Sequence, residues 1–209
     1  MILYSYWRST TSLRVRAALN LKGVAYETRP VNLVDGAQRS ADYTAINPVQ
    51  GVPALVLDDG QVLTQSMAIL DWLEETHPTP SLLPADPVAR AQVRAAAQVI
   101  ALDIHPVNNL KVLSYLKSLG HDQNAVTAWM CYWMARGLTA YQSLILPSGR
   151  YSFGDDVTQA DLCLVGQMVN ARRWGLDLSP FARLVDIDTA ARSLPAIIAA
   201  MPENQPDAQ

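Results

Sequence analysis

Four prolines, Pro78, Pro80, Pro84 and Pro87, fall within ten residues, and the chain changes character across them. Proline fixes φ, removes an amide donor and restricts the residue before it, so this density leaves room for neither helix nor ladder. The stretch reads as a linker centred on residues 82–87. Before it, short β-like runs alternate with helical ones; beyond it no convincing strand follows. Two units are expected: an α/β part over 1–81 and an all-helical part over 88–209.

In the first part, Ile2–Tyr6 and Tyr26–Val31 read as strands. Between them Val15, Ala18, Leu19 and Lys22 recur at helical spacing over Ser12–Lys22, and Gly23 supplies a C-terminal stop. Ser40–Ala45 reads as a short helix or loop. Ala54–Leu57 and Gln61–Thr64 flank the turn Asp58-Asp59-Gly60 as a hairpin, and a helix opens at Ser66. The order is β-α-β-α-β-β-α, with a right-handed crossover making the first two strands parallel and the hairpin adding an antiparallel pair. Pro53, directly before a strand, suits a cis turn that exposes the Val52 backbone. In the second part, Val88–Leu119, Asn124–Ile145, Thr158–Trp174 and Asp188–Met201 read as long helices. Thr158-Gln159-Ala160-Asp161 resembles a capping box with Asp in the Glu position.

Half the residues are hydrophobic, enough for a proper core, and the net charge is −3. No basic tract points to nucleic acid and no apolar run reaches membrane-spanning length. The start, Met1-Ile2-Leu3-Tyr4-Ser5-Tyr6-Trp7-Arg8, lacks the charged region of a signal peptide. Cys131 and Cys163, in separate helical stretches, imply neither a disulfide framework nor a metal site. A reduced, cytoplasmic protein with no metal and no nucleic-acid or membrane partner is expected.

Three clusters carry potential chemistry. Arg8-Ser9-Thr10-Thr11-Ser12 lies in the turn between the first strand and the first helix. Capping accounts for one hydroxyl, assigned to Ser12. The surplus, beside a helix N-terminus, suits stabilisation of a thiolate. No cysteine is present there, so a thiolate must arrive on a ligand, and no Gly-x-Ser-x-Gly elbow supports a serine hydrolase. Gln65 and Ser66 open a helix whose unpaired amides suit a small carboxylate, an ordinary capped hairpin being the alternative. Asp103-Ile104-His105-Pro106-Val107-Asn108-Asn109 is either a solvated proline kink or a polar site on adjacent turns. Arg172-Arg173-Trp174 ends a helix, where cations are favourable in any case, although arginine also forks onto carboxylates.

Taken in order, Leu3-Tyr4-Ser5-Tyr6-Trp7-Arg8-Ser9, Arg14-Val15-Arg16-Ala17-Ala18-Leu19, Leu21-Lys22-Gly23, Ile46-Asn47-Pro48, Val52-Pro53-Ala54-Leu55, Gln65-Ser66-Met67-Ala68-Ile69, Pro106-Val107-Asn108-Asn109-Leu110 and Thr158-Gln159-Ala160-Asp161-Leu162-Cys163-Leu164 resemble the glutathione transferase superfamily. Within it they resemble the zeta class, which holds maleylacetoacetate and maleylpyruvate isomerases. The resemblance covers nearly the whole chain and implies a thioredoxin-like N-terminal domain followed by a helical-bundle C-terminal domain. In that class the catalytic turn reads Ser-Ser-Cys; here it is Ser9-Thr10-Thr11, so Thr11 replaces the thiol.

By that resemblance, glutathione is the cofactor and the reaction is the cis–trans isomerisation of maleylpyruvate to fumarylpyruvate in gentisate catabolism. Maleylacetoacetate isomerisation in tyrosine catabolism is the alternative, with general conjugating or dehalogenating transfer, or a non-enzymatic glutathione-binding scaffold, further off. Ser9, with Thr10 or Thr11, would stabilise the glutathione thiolate. Gln38, Val52, Gln65, Ser66, His105, Asn108 and Asn109 fall at or near glutathione-contacting positions, with His105 standing where the class has Gln. Arg8 and Arg173, converging on one cleft, would hold the carboxylates of a dicarboxylate substrate, and Arg8 would also take up charge developing on the substrate. A homodimer is implied too, with Met67, Leu70 and Trp72 as apolar candidates for the facing surface.

Overall fold

In the computed structural model, which describes residues Met1–Gln209, β1 (Ile2–Ser5) runs parallel to β2 (Glu27–Pro30) and antiparallel to β3 (Ala54–Val56). β4 (Val62–Thr64) closes an antiparallel hairpin with β3, so the sheet order is β2-β1-β3-β4. The register sets Leu3 opposite Leu55, and both are fully buried. α1 (Thr10–Leu21) is the crossover between the parallel strands, α2 (Ala41–Ile46) precedes the hairpin and α3 (Ser66–Thr76) follows it. The expected β-α-β-α-β-β-α order and mixed pairing are both present, as a thioredoxin-like arrangement.

α1 ends where its sequence punctuates it. Gly23 takes φ +65°, and Val24 N–H reaches back to Leu19 O at 2.9 Å, satisfying a carbonyl the helix would leave open. Leu70 is fully buried in this unit. It therefore belongs to the core and is withdrawn from the residues expected to face a second subunit.

The proline-rich stretch is held by a buried ion pair instead of a ladder. Lys22 Nζ meets Glu74 Oε2 at 2.9 Å and also donates to His77 O and Pro80 O, at 2.7 and 2.8 Å. Glu74 in turn accepts from Leu82 N–H at 3.0 Å. Burial of Glu74 opposes ionisation, but the donors from Ser81, Leu82 and Lys22 prevail and hold its pKa below 4.5.

The chain divides into Met1–Leu82 with Arg192–Gln209, and Leu83–Ala191. Where Asp188–Met201 reads in sequence as one helix, the structure has α8 (Ala182–Ala191) and then α9 (Pro195–Ala200). Pro195 lacks the amide to continue α8 and instead occupies the first turn of α9, where no donor is needed. α9 packs on α1, with Asn20 Nδ2 donating to Ala196 O at 3.0 Å. For this reason the last residues belong with the sheet and not, as the boundary 88–209 has it, with the helices.

In the helical unit, α4 (Pro87–Gln98) is capped by Asp86 and continues into a π-helical turn over Val99–Ile104. The wide turn closes through His105 N–H to Ile100 O at 3.0 Å. Pro106 has no amide to carry the pattern on, and helix resumes only at α5 (Leu110–Ser118), so the run read as Val88–Leu119 is three pieces. α6 (Gln123–Leu144) passes Gly137 against Ile104, leaving no room for a Cβ at that glycine. The α7 (Gln159–Arg173) capping box forms as expected: Asp161 accepts from Thr158 N–H, Thr158 Oγ1 and Ser152 N–H, each at 2.8 Å. No helix is long and apolar enough to cross a membrane.

Candidate functional site

The end of β1 delivers the hydroxyl turn. α1 starts at Thr10, and its N-cap is Ser9, whose Oγ accepts from Ser12 N–H at 3.1 Å. Ser12 lies at the third helical position with its own Oγ buried and unpartnered, so it receives no capping role. The cap belongs to Ser9 because only the residue before the first helical one has its side chain over the free amides.

Ser9 Oγ lies 2.8 Å from Thr11 Oγ1, and Thr11 Oγ1 donates to Val52 O at 2.8 Å. A carbonyl only accepts, so the Thr11 proton is committed to Val52 and the Ser9 proton points at Thr11. The three expected residues Ser9, Thr11 and Val52 thus form one chain of hydrogen bonds joining the first turn of α1 to the loop before β3. Thr10, at the first helical position, is half-buried.

The loop carrying Val52 is pinned from behind. Tyr43 Oη and Asn47 Nδ2 both donate to Gly51 O, at 2.6 and 2.7 Å, and the Val52–Pro53 bond is cis, as the sequence suggests. Burial lifts the Tyr43 pKa to about 12, which keeps the hydroxyl a donor. Neither Tyr43 nor Asn47 is among the residues expected at the site; an Asx side chain before Pro48 was the only local signal.

Gln65 has φ +68°, a conformation non-glycine residues seldom hold without support. It turns the chain from β4 into α3, whose first turn has no side-chain cap. Ser66, the first helical residue, is buried. α1, α2, α4, α5 and α6 spend a Ser, Asp or Asn oxygen on their opening amides. The opening turn of α3 has no such side chain, and its positive dipole end favours an anion. Beside it, the buried Arg14 guanidinium touches Met67 Sδ at 3.5 Å. Gln38 is also buried, with its Oε1 unpartnered.

Arg8 is oriented by its two predecessors. Its Nε and terminal nitrogen donate to Tyr6 Oη at 3.3 and 3.0 Å, and its guanidinium lies 4.8 Å from the Trp7 ring centroid. This stacking holds the fork in place without neutralising it.

The expected residues of the helical unit have local roles. Asn109 caps α5 through Lys111 N–H at 3.1 Å and lies 3.3 Å from His105 Nε2. Asn108 is buried and donates to Met130 O at 3.3 Å, tying the proline kink to α6. Arg172 and Arg173 both lie exposed in the last turn of α7, and Arg172 pairs with the buried Asp188 at 2.6 Å.

Residues 8–76 match the family model described as "Glutathione S-transferase, N-terminal domain". A maleylpyruvate isomerase of Ralstonia is 49% identical over 99% of this chain and 99% of its own length. A maleyl pyruvate isomerase solved in its holo form, a bacterial zeta-class glutathione S-transferase, matches with TM-score 0.97 at 48% identity over 100% of both chains. The maleylacetoacetate isomerase of Methylobacterium extorquens AM1, solved with bound malonate and glutathione, matches with TM-score 0.96 at 39% identity, again over 100% of both. Full-length identity at this level, joined to a hydroxyl turn, a pinned Val52 loop and an uncapped α3, leaves one conclusion: the chain belongs to the glutathione S-transferase family and to its zeta class.

Proposed function

We propose that this protein is a glutathione-dependent isomerase that converts maleylpyruvate to fumarylpyruvate. The observation that carries the reading is the hydrogen-bonded Ser9–Thr11–Val52 chain with the oriented Arg8 beside it, in a protein 49% identical to a maleylpyruvate isomerase.

The residues present fit glutathione. Its γ-glutamyl carboxylate suits the amides and hydroxyl at Gln65 and Ser66, where α3 offers no cap of its own. Its cysteinyl backbone suits Val52, and Gln38 is the further polar contact from this unit. Bound there, glutathione supplies a thiolate that adds reversibly to a double bond conjugated with a carbonyl, allowing rotation before the thiol is returned. Ser9 stabilises the thiolate by a hydrogen bond, with Thr11 and Thr10 next to it and the amides of α1 adding their dipole. Arg8 holds a substrate carboxylate and offsets charge that develops on the substrate oxygen. Arg173 takes the second carboxylate, and His105, Asn108 and Asn109 complete the glutathione contacts; these four assignments rest on the zeta-class resemblance.

The reaction belongs to gentisate breakdown in the cytoplasm, and the working form is a homodimer. A mass of 22.9 kDa in solution at micromolar concentration would refute the dimer. The function is tested by supplying maleylpyruvate and maleylacetoacetate, each with and without glutathione. Turnover of maleylpyruvate that requires glutathione and exceeds turnover of maleylacetoacetate is expected. Activity without glutathione, or preference for maleylacetoacetate, would overturn the assignment.

A further inference from the structure

The C-terminal segment reaches the turn that carries Arg8 through two independent contacts. Arg16, on the buried face of α1, is fully enclosed and remains fully hydrogen-bonded. Its Nε and one terminal nitrogen both donate to Ala200 O, at 3.0 and 2.9 Å. The same guanidinium donates to Tyr6 O at 3.3 Å, Trp7 O at 3.2 Å and Ser5 Oγ at 2.8 Å. Burial lowers its pKa to about 10, which leaves it charged at neutral pH.

From the other side, Asp207 Oδ2 accepts from Trp7 N–H at 3.0 Å. Asp207 is held in range by Gln205, which is buried and donates to Ala199 O and Met201 O, both at 2.9 Å. Trp7 is therefore gripped at both its carbonyl and its amide by groups anchored on α9 and the residues after it. Tyr6 and Trp7 are the two residues that orient the Arg8 guanidinium, one by its hydroxyl and one by its ring.

We infer that Arg16 and Asp207 are positioning residues for the reaction, clamping the Tyr6–Trp7 peptide to the C-terminal segment so that Arg8 is presented to a substrate carboxylate. The inference rests on the reading of Arg8 as the carboxylate-binding group. A clamp of this kind acts on anion binding and leaves the glutathione contacts at Val52 and Ser66 alone, because those lie on other loops. It also gives the last residues of the chain a part in the site they do not line.

The test uses the whole protein and three variants: Asp207→Ala, which removes the acceptor; Asp207→Asn, which keeps an oxygen for Trp7 N–H; and Glu203→Ala, an exposed acidic neighbour, as control. The probe is malonate, a dicarboxylate with no double bond to react, titrated calorimetrically into protein saturated with glutathione. Amide exchange at Trp7 and the KM and kcat for maleylpyruvate are read alongside. Asp207→Ala should raise the malonate Kd and the maleylpyruvate KM together by about tenfold, the scale of one weakened charge-assisted contact. It should speed Trp7 amide exchange and leave the glutathione Kd within about twofold of the parent, as expected for a contact away from that ligand. Asp207→Asn should recover most of the malonate affinity, and Glu203→Ala should match the parent. A parent-like malonate Kd in Asp207→Ala, an equal loss of glutathione and malonate, or a parent that binds no malonate would each overturn the clamp. If malonate and Trp7 respond as expected while the parent leaves maleylpyruvate unchanged, the clamp stands and the isomerase reading falls.

Discussion

Ser9 and Thr11 compete for the same role, and the direction of their hydrogen bonds ranks them. Thr11 gives its proton to Val52 O and accepts one from Ser9, while Ser9 Oγ also receives Ser12 N–H. For Ser9 to donate to a bound thiolate, its hydroxyl need only rotate about the Cβ–Oγ bond, and Thr11 loses one acceptor contact. For Thr11 to do so, the part-buried Val52 O must give up its donor, at a cost of about 1 kcal/mol. Ser9 is therefore the cheaper donor. A hydrogen bond to a charged group is worth about 1.5–3 kcal/mol, so Ser9→Ala should raise the pKa of the bound glutathione thiol by about 1–2 pH units at 1.36 kcal/mol per unit.

The assay follows the ultraviolet absorbance of the thiolate against pH in protein saturated with glutathione. Ser9→Ala also removes the α1 cap, lowering stability by about 1 kcal/mol. Denaturant unfolding checks that separately, because an unfolded fraction reduces the amplitude of the titration and leaves its midpoint in place. Thr11→Val keeps the branched shape and should move the midpoint by less than half as much. A larger shift in Thr11→Val than in Ser9→Ala would refute the ranking. It would mean that the ligand's own cysteinyl amide satisfies Val52 O and frees the Thr11 proton for the sulfur.

Ser66→Ala should weaken glutathione by roughly 10- to 100-fold, the equivalent of one hydrogen bond to a carboxylate, read by calorimetry; unchanged affinity would remove the α3 start from the site. Gly137→Ala should destabilise the protein by about 1–3 kcal/mol, because the added methyl meets Ile104 inside the helical unit. Pairing it with Ile104→Val should recover part of that loss, and strict additivity in the double-mutant cycle would show that the two side chains do not compete for space. Glu74 has a folded pKa below its usual 4.5, so its contribution is present above that value and is lost as pH falls through the folded pKa. Glu74→Gln should accordingly flatten the fall in unfolding free energy on acidification below pH 4.5, and an acid limb as steep as the parent's would assign that limb to other groups.

The parts of the fold that were legible are those whose causes are local. The period changes at the four prolines, Gly23 stops α1, and Thr158 with Asp161 opens α7, each read from a few adjacent residues. The misreadings share the opposite property. Four hydroxyls in a row, Ser9, Thr10, Thr11 and Ser12, look alike in sequence, and which one caps depends on the backbone entering helical geometry at Thr10. Pro195 is compatible either with a break or with the opening of a new helix, and the packing of α9 on α1 decides between them. The Val52 loop depends on Tyr43 and Asn47 through main-chain oxygen at Gly51, which no residue type announces.

Arg14 and Arg16 carry a further signal in the pattern of α1. Both stand in a helix whose neighbouring positions are Leu13, Val15, Ala17, Ala18 and Leu19, and all seven are buried. Such a helix has no wet face for a guanidinium; Arg16 places its donors on oxygen, whereas the equally enclosed Arg14 meets Met67 Sδ and leaves its Nε unpartnered. The pattern therefore implies a set of main-chain acceptors close to the middle of α1. It does not say which segment supplies them, because Ala200 O is an acceptor that any residue could provide, 184 positions away. Asp207→Ala separates the two ideas: if Arg16 alone sufficed to hold Tyr6 and Trp7, loss of the Asp207 contact would leave Trp7 amide exchange unchanged, and the C-terminal segment would be packing and nothing more.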